Sequence, residues 1–259
     1  MMELADMRDL GSRGKPCRFK SCYPHHGRHS GTISRVSFFI NGGSCSMIKT
    51  VLFDFDGTIF DTCEGVMKSV QYALHKMGIE EPFENLYDFM GPPLVVMFME
   101  KYGFTSQQAD EAVEYFRERY TPVGWKECRP YDGIADVIRT LRNSGYEIVV
   151  ATSKPTFFAN EILAYYHMED LFDYVSGAGL NGDRTTKQEV IRHALDWSAS
   201  DVSEMIMVGD RKYDVLGARD FGIDCIGVRY GFSQGDELEK CGCSRIAETP
   251  EEILSFIIG

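Results

Sequence analysis

The stretch "VLFDFDGTIF", residues 51–60, runs an apolar segment directly into two aspartates and then stops at Gly57 and Thr58. Asp54 and Asp56 are two residues apart, so on an extended backbone their side chains point the same way. Two like charges at the end of a buried strand repel each other unless something positive lies between them. The stretch therefore predicts either a strand end with solvated carboxylates or a metal site.

Further apolar runs of the same kind follow along the chain. Continuous apolar runs are typical of strands that are buried on both faces, and they occur at 49–54, 147–153, 174–178, 205–210 and 225–230. Segments with a helical spacing of apolar residues separate or follow them, at 132–144, 155–166, 185–197, 212–221 and 250–258. This alternation predicts an α/β fold, with a Rossmann-like parallel sheet core and helices on both faces.

The tract from 64 to 130 has a different pattern. It contains no convincing strand, only helical segments at 64–77, 92–102 and 106–120, broken by "IEEPFE" and "MGPP". An all-helical tract between the first and second strands of the sheet predicts an inserted α-helical cap domain. We therefore expect a core made of residues 47–63 and 131–259, with residues 64–130 as the cap.

The first 46 residues differ from the rest of the chain in charge and in apolar pattern. Residues 1–47 hold seven Lys/Arg against three Asp/Glu, with scattered Gly, Ser and Pro and no sustained apolar periodicity, so we expect residues 1–46 to be a disordered leader. Met47 begins "MIKTVLFDFDGT", which is typical of a natural protein start. The leader is then either translated upstream sequence from a mis-assigned start codon or a genuine flexible basic extension.

A variant that begins at Met47 tests this expectation. We expect it to keep full activity and thermal stability, because an unstructured leader makes no contact that folding needs. Thermal denaturation and turnover of the two proteins provide the comparison, and mass spectrometry of the native protein shows where it starts. A loss of more than about 1 kcal/mol of unfolding free energy would contradict the expectation, since neutral surface changes rarely exceed that.

Composition narrows the class of protein. Apolar residues make up 44% and charged residues 25%, as in ordinary globular proteins, and the net charge is −12, from 27 basic and 39 acidic residues. That excess of negative charge argues against nucleic-acid binding, and no apolar run approaches the length of a membrane span. The eight cysteines show no convincing zinc spacing, which favours a reducing, cytoplasmic setting.

Carboxylates lie where the predicted sheet should place ligands, at the carboxyl ends of its strands. Asp54 and Asp56 lie at the end of the first predicted strand, and Asp210 lies at the end of the fourth. One carboxylate can attack phosphorus and form an aspartyl-phosphate, and a second can protonate the leaving oxygen and later activate water. Asp210 can complete an oxygen-rich Mg²⁺ shell with Asp54 and the backbone carbonyl of Asp56.

Other strand ends offer groups for a phosphate. Thr152, Ser153 and Lys154 lie at the end of the second predicted strand, and Lys187 follows the third. The Lys187 ammonium and the Thr152 hydroxyl can hold phosphoryl oxygens and offset charge between anions. Asp214, four residues after Asp210, can orient water or pair with Lys187.

Taken together, "DFDGT", a Thr after the second strand, a downstream Lys and "GDRKYD" resemble the four motifs of the haloacid dehalogenase (HAD) superfamily of phosphohydrolases. The resemblance covers residues 48–259. Within it, "SKPTFFANEIL" and "GLNGDRTTKQEVIRHAL" resemble the phosphoglycolate-phosphatase-like branch, which includes proteins described as 5′-nucleotidases. It implies these roles: Asp54 as nucleophile, Asp56 as acid/base, Thr152, Ser153 and Lys187 as phosphate binders, Asp54, Asp56 and Asp210 as Mg²⁺ ligands, and Asp214 in support.

We expect a Mg²⁺-dependent phosphomonoesterase that hydrolyses small phosphate esters through an aspartyl-phosphate. We expect the protein to be a monomer or a weak homodimer. The cap loop at 89–94 is apolar and flanked by aromatic residues, with no cluster of Lys/Arg to bind a second anionic group. This favours nucleoside 5′-monophosphates. The alternatives are a phosphoglycolate phosphatase, a sugar phosphomutase of the same superfamily and, least favoured, a binding module without catalysis.

Overall fold

The computed structural model describes residues 47–180 and 182–259. A six-stranded parallel sheet in the order β5-β4-β1-β6-β7-β8 organises them. Its strands are β1 Thr50–Phe53, β4 Glu147–Pro155, β5 Tyr174–Ala178, β6 Met205–Gly209, β7 Asp224–Val228 and β8 Arg245–Ala247. A separate antiparallel pair is formed by β2 Phe60–Asp61 and β3 Arg129–Pro130.

Strand β1 lies in the middle of the sheet and is completely buried. Leu52 is in register with Val149 of β4 on one side and with Met207 of β6 on the other. Because successive side chains of a strand point to opposite faces, Val51 and Phe53 belong to one apolar cluster and Leu52 to another. Burial on both faces is the physical reason for the continuous apolar run.

Helices cover both faces of the sheet. Apolar side chains of α4 Ile134–Asn143, α5 Thr156–Tyr165 and α9 Glu252–Ile257 pack in the cluster that holds Val51 and Phe53. Those of α6 Lys187–Trp197 and α7 Lys212–Arg219 pack in the cluster around Leu52. Helix α8 is short, Glu237–Lys240. The predicted α/β fold, a parallel sheet with helices on both faces and a helical insert, is confirmed.

The chain between β2 and β3 is almost entirely helical. It contains α1 Cys63–Lys76, a 3₁₀ segment over Phe83–Phe89, α2 Leu94–Tyr102 and α3 Ser106–Tyr120, followed by a 3₁₀ turn over Gly124–Lys126. These helices share an apolar cluster of their own, which includes Val70, Leu74, Phe98 and Phe116. We call this segment the helical insert; the domain limits at 64 and 130 stay a prediction.

The cluster of the helical insert continues onto the sheet side of the molecule. Phe158, in the first turn of α5, packs edge-on against Tyr120 of the insert, with ring centres 5.1 Å apart. Phe232, in the loop after β7, packs edge-on against Tyr87, with ring centres 6.1 Å apart. Both phenylalanines follow carboxyl ends of strands, so the insert contacts the edge of the sheet where the predicted site lies.

Some short elements were not predicted from the sequence. The pair β2–β3 and strand β8 have two or three residues each, so they carry no apolar run that periodicity can detect. The expectation that residues 64–130 hold no strand was wrong at Arg129–Pro130, which pair with Phe60 and Asp61.

The structure also bears on membrane-spanning helices and on the cysteines. No helix within the described residues is long and apolar enough to cross a membrane. The cysteines in that part of the chain, Cys63, Cys128, Cys225, Cys241 and Cys243, are free thiols. The disordered leader expected at 1–46 lies outside the described residues.

Candidate active site

Lys187 forms the centre of a buried charge cluster at the carboxyl ends of the strands. As the first residue of α6, it reaches across the sheet edge to Asp54, which follows β1, and to Asp214 of α7. Its Nζ lies 2.8 Å from Asp54 Oδ1 and 2.7 Å from Asp214 Oδ1, and it donates a hydrogen bond to the Ala151 carbonyl at 3.1 Å. The sequence named these three charged residues, and the structure brings them into direct contact.

Asp210, after β6, completes a group of three carboxylates. One oxygen each from Asp54, Asp210 and Asp214 lie within 4.8 Å of one another, and all three residues are buried. The pKa of Asp54 is raised to about 6, chiefly by burial, with the lowering effect of Lys187 partly opposed by the negative charge of Asp214. Burial and the negative charges of Asp214 and Asp54 likewise hold the pKa of Asp210 well above its usual range.

These three carboxylates suit a hard divalent cation. Mg²⁺ prefers oxygen ligands, and three carboxylate oxygens converge here. Burial and, after it, repulsion between the carboxylates raise the pKa values of Asp54 and Asp210, and a divalent ion would offset both effects. The residues present therefore fit Mg²⁺ as the bound metal.

Two hydrogen bonds and a closely packed glycine fix Asp210 in this position. Its Oδ2 accepts a hydrogen bond from the Phe232 backbone N–H at 2.7 Å, and its Oδ1 accepts one from the Thr58 hydroxyl at 3.3 Å. Gly57 has a φ of 84°, and a Cβ at that position would lie 2.1 Å from Asp210 Oδ2. The Gly in "DFDGT" is thus needed both for its backbone conformation and for the space beside a carboxylate.

Asp56 has a different environment from Asp54. Strand β1 ends at Phe53, so neither aspartate lies on the regular strand from which a shared direction was expected. Asp54 contacts Lys187, whereas both carboxylate oxygens of Asp56 contact Lys154 Nζ, at 2.9 and 3.2 Å. The positive charge expected near the two aspartates is therefore supplied by two lysines. The backbone carbonyl of Asp56 as a metal ligand stays a prediction.

The sequence placed Lys154 at the end of a predicted strand, but it did not predict which residue Lys154 contacts. Its side chain is only 5% exposed, and its Nζ lies 5.4 Å from the ring centre of Tyr120 and 5.8 Å from that of Phe55. Burial acts to lower the pKa of Lys154, but Asp56 and Tyr120 outweigh it and hold the pKa above the usual range. The sequence could have indicated this contact, because Lys154 comes immediately after a predicted buried strand. A lysine that is buried there needs an anionic partner.

Thr152 and Ser153, the other residues predicted at this strand end, differ in exposure. Thr152 is 1% exposed, and its hydroxyl oxygen accepts a hydrogen bond from the Lys154 backbone N–H at 3.1 Å. Ser153 is exposed. Their roles as phosphate binders stay predictions.

Arg211 links this site to the helical insert, a contact that the sequence did not indicate. Its guanidinium donates to the carbonyl of Met90, in the insert loop 89–94, and to Glu237 Oε1 at 2.6 Å. Its backbone N–H donates to Asp214 Oδ2 at 2.9 Å. One residue therefore joins the carboxylate cluster to the cap loop at 89–94.

Comparison with known proteins identifies the family. The sequence model of the family described as "Haloacid dehalogenase-like hydrolase" matches residues 51–228. A predicted phosphatase from Clostridium acetobutylicum has a crystal structure with a TM-score of 0.78 and 40% identity, covering 82% of this chain and 98% of that one. The predicted superfamily is therefore confirmed.

Curated proteins with similar sequences are named for different activities. A 5′-nucleotidase from Pseudomonas aeruginosa is 46% identical over 189 residues, covering 73% of this chain and 86% of that protein. Tyrosine-protein kinase PtkA from Mycobacterium tuberculosis is 35% identical over 193 residues, 74% of this chain and 66% of that protein. A phosphoglycolate phosphatase from Vibrio vulnificus is 25% identical over 224 residues, 82% and 96% of the two chains.

The family match spans the first and fourth motifs and the lysine between them. The relatives and solved structures named as phosphatases confirm the prediction of a phosphatase. The chain belongs to the haloacid dehalogenase-like hydrolase family.

Proposed function

We propose that this protein is a Mg²⁺-dependent phosphomonoesterase that hydrolyses small phosphate esters, nucleoside 5′-monophosphates among them, through an aspartyl-phosphate on Asp54. The observation that carries the proposal is the contact of the Lys187 ammonium with both Asp54 and Asp214, beside Asp210. This contact supports the proposal, because a carboxylate that could attack phosphorus, an ammonium group that could hold phosphoryl oxygens and carboxylates that could bind a divalent cation lie together.

The two aspartates would share the chemistry. Asp54 attacks phosphorus, forming an Oδ–P bond as the bond from phosphorus to the ester oxygen breaks, and Asp56 gives that oxygen a proton. Asp56 then takes a proton from the water that attacks phosphorus, which breaks the Oδ–P bond and releases phosphate. Lys187 and Thr152 hold the phosphoryl oxygens. Bound Mg²⁺ would supply positive charge that stabilises the transferring phosphoryl group.

The contacts of the nearby cations bear on the class of substrate. Phosphoglycolate carries a carboxylate besides its phosphate, and a site built for it should offer that carboxylate a cationic partner. Lys154 already contacts Asp56, and Arg211 already contacts Glu237. The insert loop itself is apolar and aromatic, which suits a substrate with a flat or apolar part. The 46% identity to a protein named a 5′-nucleotidase supports the same class.

We therefore expect a higher kcat/KM for nucleoside 5′-monophosphates than for phosphoglycolate, by about tenfold or more, equivalent to about 1.4 kcal/mol. Phosphate release from a panel of esters measures the ratio. Shortening the loop at 89–94 should change that ratio by more than it changes hydrolysis of p-nitrophenyl phosphate. A strong preference for phosphoglycolate would contradict this choice of substrate.

The same panel separates the other functions. Net release of phosphate from hexose phosphates, without exchange between the 1- and 6-positions, distinguishes a phosphatase from a phosphomutase. Incubation with ATP and a tyrosine-containing protein tests the activity in the name of the mycobacterial relative. Transfer of phosphate to tyrosine, in place of release to water, would overturn the proposal.

A further inference from the structure

We propose that Lys154 is a positioning residue for the acid/base carboxylate of Asp56, and that Tyr120 of the helical insert holds Lys154 in place. This inference rests on the function proposed above, since it takes Asp56 as the acid/base. It adds two residues, one from the core and one from the insert, to the machinery of the reaction.

The contact with Lys154 restricts the orientation of the Asp56 carboxylate. One ammonium nitrogen lies within 3.2 Å of both carboxylate oxygens, so the carboxyl group is held by a two-point contact. The lysine side chain is 5% exposed and the aspartate side chain 27% exposed, so the lysine is the anchored partner. A carboxylate that transfers protons has to be held within hydrogen-bond reach of the reacting oxygen.

Tyr120 extends this contact to the insert. It is the last residue of α3, it is 5% exposed, and its ring centre lies 5.4 Å from Lys154 Nζ. The same ring packs against Phe158, which lies four residues after Lys154 in the chain. Lys154 therefore lies between a carboxylate of the core and an aromatic ring of the insert, and a displacement of the insert would remove one side of its environment.

Two competing roles for Lys154 predict different kinetics. A buried ion pair that serves only stability would change unfolding but would not make the rate depend on the leaving group. A lysine that binds the substrate would change KM for every ester alike. A positioning residue lowers turnover most for poor leaving groups, because those need the proton from Asp56.

The test uses Lys154→Met and a series of substituted phenyl phosphates that differ in leaving-group pKa but little in shape. We expect kcat for the poorest leaving group to fall by roughly 10- to 100-fold, part of the usual effect of general acid catalysis. For the best leaving group we expect a fall of less than about threefold, because it needs little proton transfer. The slope of log kcat against leaving-group pKa should therefore become steeper, with KM and the half-saturating Mg²⁺ concentration unchanged. Lys154→Arg should restore part of the lost rate.

Lys126→Met is the matched control. Its ammonium also lies over a ring, that of Trp125 at 5.0 Å, but it is exposed, and we expect the slope to stay that of the unchanged protein. Thermal denaturation without metal shows whether each variant is folded. In a double-mutant cycle with Asp56→Asn, the fall in melting temperature of the double variant should be less than the two single falls combined.

Tyr120→Leu tests the contribution of the insert. It should steepen the slope in the same direction as Lys154→Met, by a smaller amount. Tyr115→Leu, on the same helix and also beside a lysine, with Lys76 Nζ at 5.7 Å, is its matched control and should leave the slope unchanged.

Asp56→Asn separates this inference from the proposed function. A steeper slope for Asp56→Asn but an unchanged slope for Lys154→Met would overturn the inference and keep the function. A KM that rises for every ester in Lys154→Met would overturn the inference as well, in favour of substrate binding. An unchanged slope in Asp56→Asn would overturn the acid/base role itself.

Discussion

Asp54→Asn should abolish turnover, by at least about 10³-fold, as expected when the nucleophile of a covalent mechanism is removed. The substitution keeps the shape of the side chain and removes the charge that attacks phosphorus. It also removes one of the three carboxylates that lie within 4.8 Å of one another. No phosphoenzyme should form. Acid-quenched reactions with ³²P-labelled substrate measure it directly.

The fold should survive the change. Burial already makes the charge of Asp54 unfavourable, and its pKa is raised to about 6 for that reason first. A neutral Asn removes that unfavourable charge, so the melting temperature of the metal-free protein should not fall. The stabilisation that Mg²⁺ gives should shrink, because one of its donors is gone.

Asp136→Asn is the control, since Asp136 lies on α4 with an exposed side chain and contacts Arg139. It should keep full activity. An Asp54→Asn protein that still turns over, once mass spectrometry has excluded deamidation back to aspartate, would remove Asp54 from the role of nucleophile.

The sequence was most informative where one physical constraint determines both pattern and structure. A strand buried on both faces must be apolar throughout, so β1 and β6 were visible as runs, and their carboxyl ends located Asp54 and Asp210. Lys187 could be placed near them because parallel strands end at one edge of the sheet. Its contacts with Asp54 and Asp214 follow from that topology.

Contacts between segments that are distant in the sequence could not be predicted in this way. Arg211 donates to the carbonyl of Met90, 121 positions away in the sequence, and Lys154 contacts Asp56 across 98 positions. Neither contact leaves a periodic pattern, because each depends on how two distant segments pack against each other. Strand β8 was missed for a similar reason, since a three-residue strand forms through hydrogen bonds to β7 and has no long apolar run of its own.

The direction of the two aspartates shows the limit of a local rule. Residues two apart share a face only on a regular strand, and β1 ends before both of them. Beyond the end of β1, Asp54 contacts Lys187 whereas Asp56 contacts Lys154, and the backbone turns just after them at Gly57, with a φ of 84°. A sequence can indicate that a turn is present at a Gly, but the exact contacts depend on the surrounding tertiary structure.

Lys187→Met should destabilise the metal-free protein by about 3–5 kcal/mol, the usual effect of removing one partner of a buried ion pair. For a domain of this size that corresponds to a fall of roughly 6–20 °C in melting temperature. The Lys187 side chain is 6% exposed and contacts Asp54 and Asp214. Without the ammonium, two carboxylates and the adjacent Asp210 would lie together with no cation between them.

Two companion variants make the measurement specific. Lys240→Met removes a lysine whose side chain is 74% exposed and which pairs with Asp236, so the melting temperature of that variant should stay nearly unchanged. Adding Asp214→Asn to Lys187→Met should restore part of the lost stability, because it removes one unpaired charge, while the Asn oxygen can still accept from the Arg211 backbone N–H.

Mg²⁺ gives the decisive comparison for this cluster. If the three carboxylates are its donors, the ion should raise the melting temperature of Lys187→Met by more than that of the unchanged protein, because it replaces the positive charge that the variant lacks. Calorimetry with and without Mg²⁺ measures both shifts, and Ca²⁺ shows whether any hard cation suffices. A Lys187→Met protein that melts within a degree or two of the unchanged one would mean that the carboxylates do not depend on this ammonium. Equal shifts with Mg²⁺ would place the metal elsewhere.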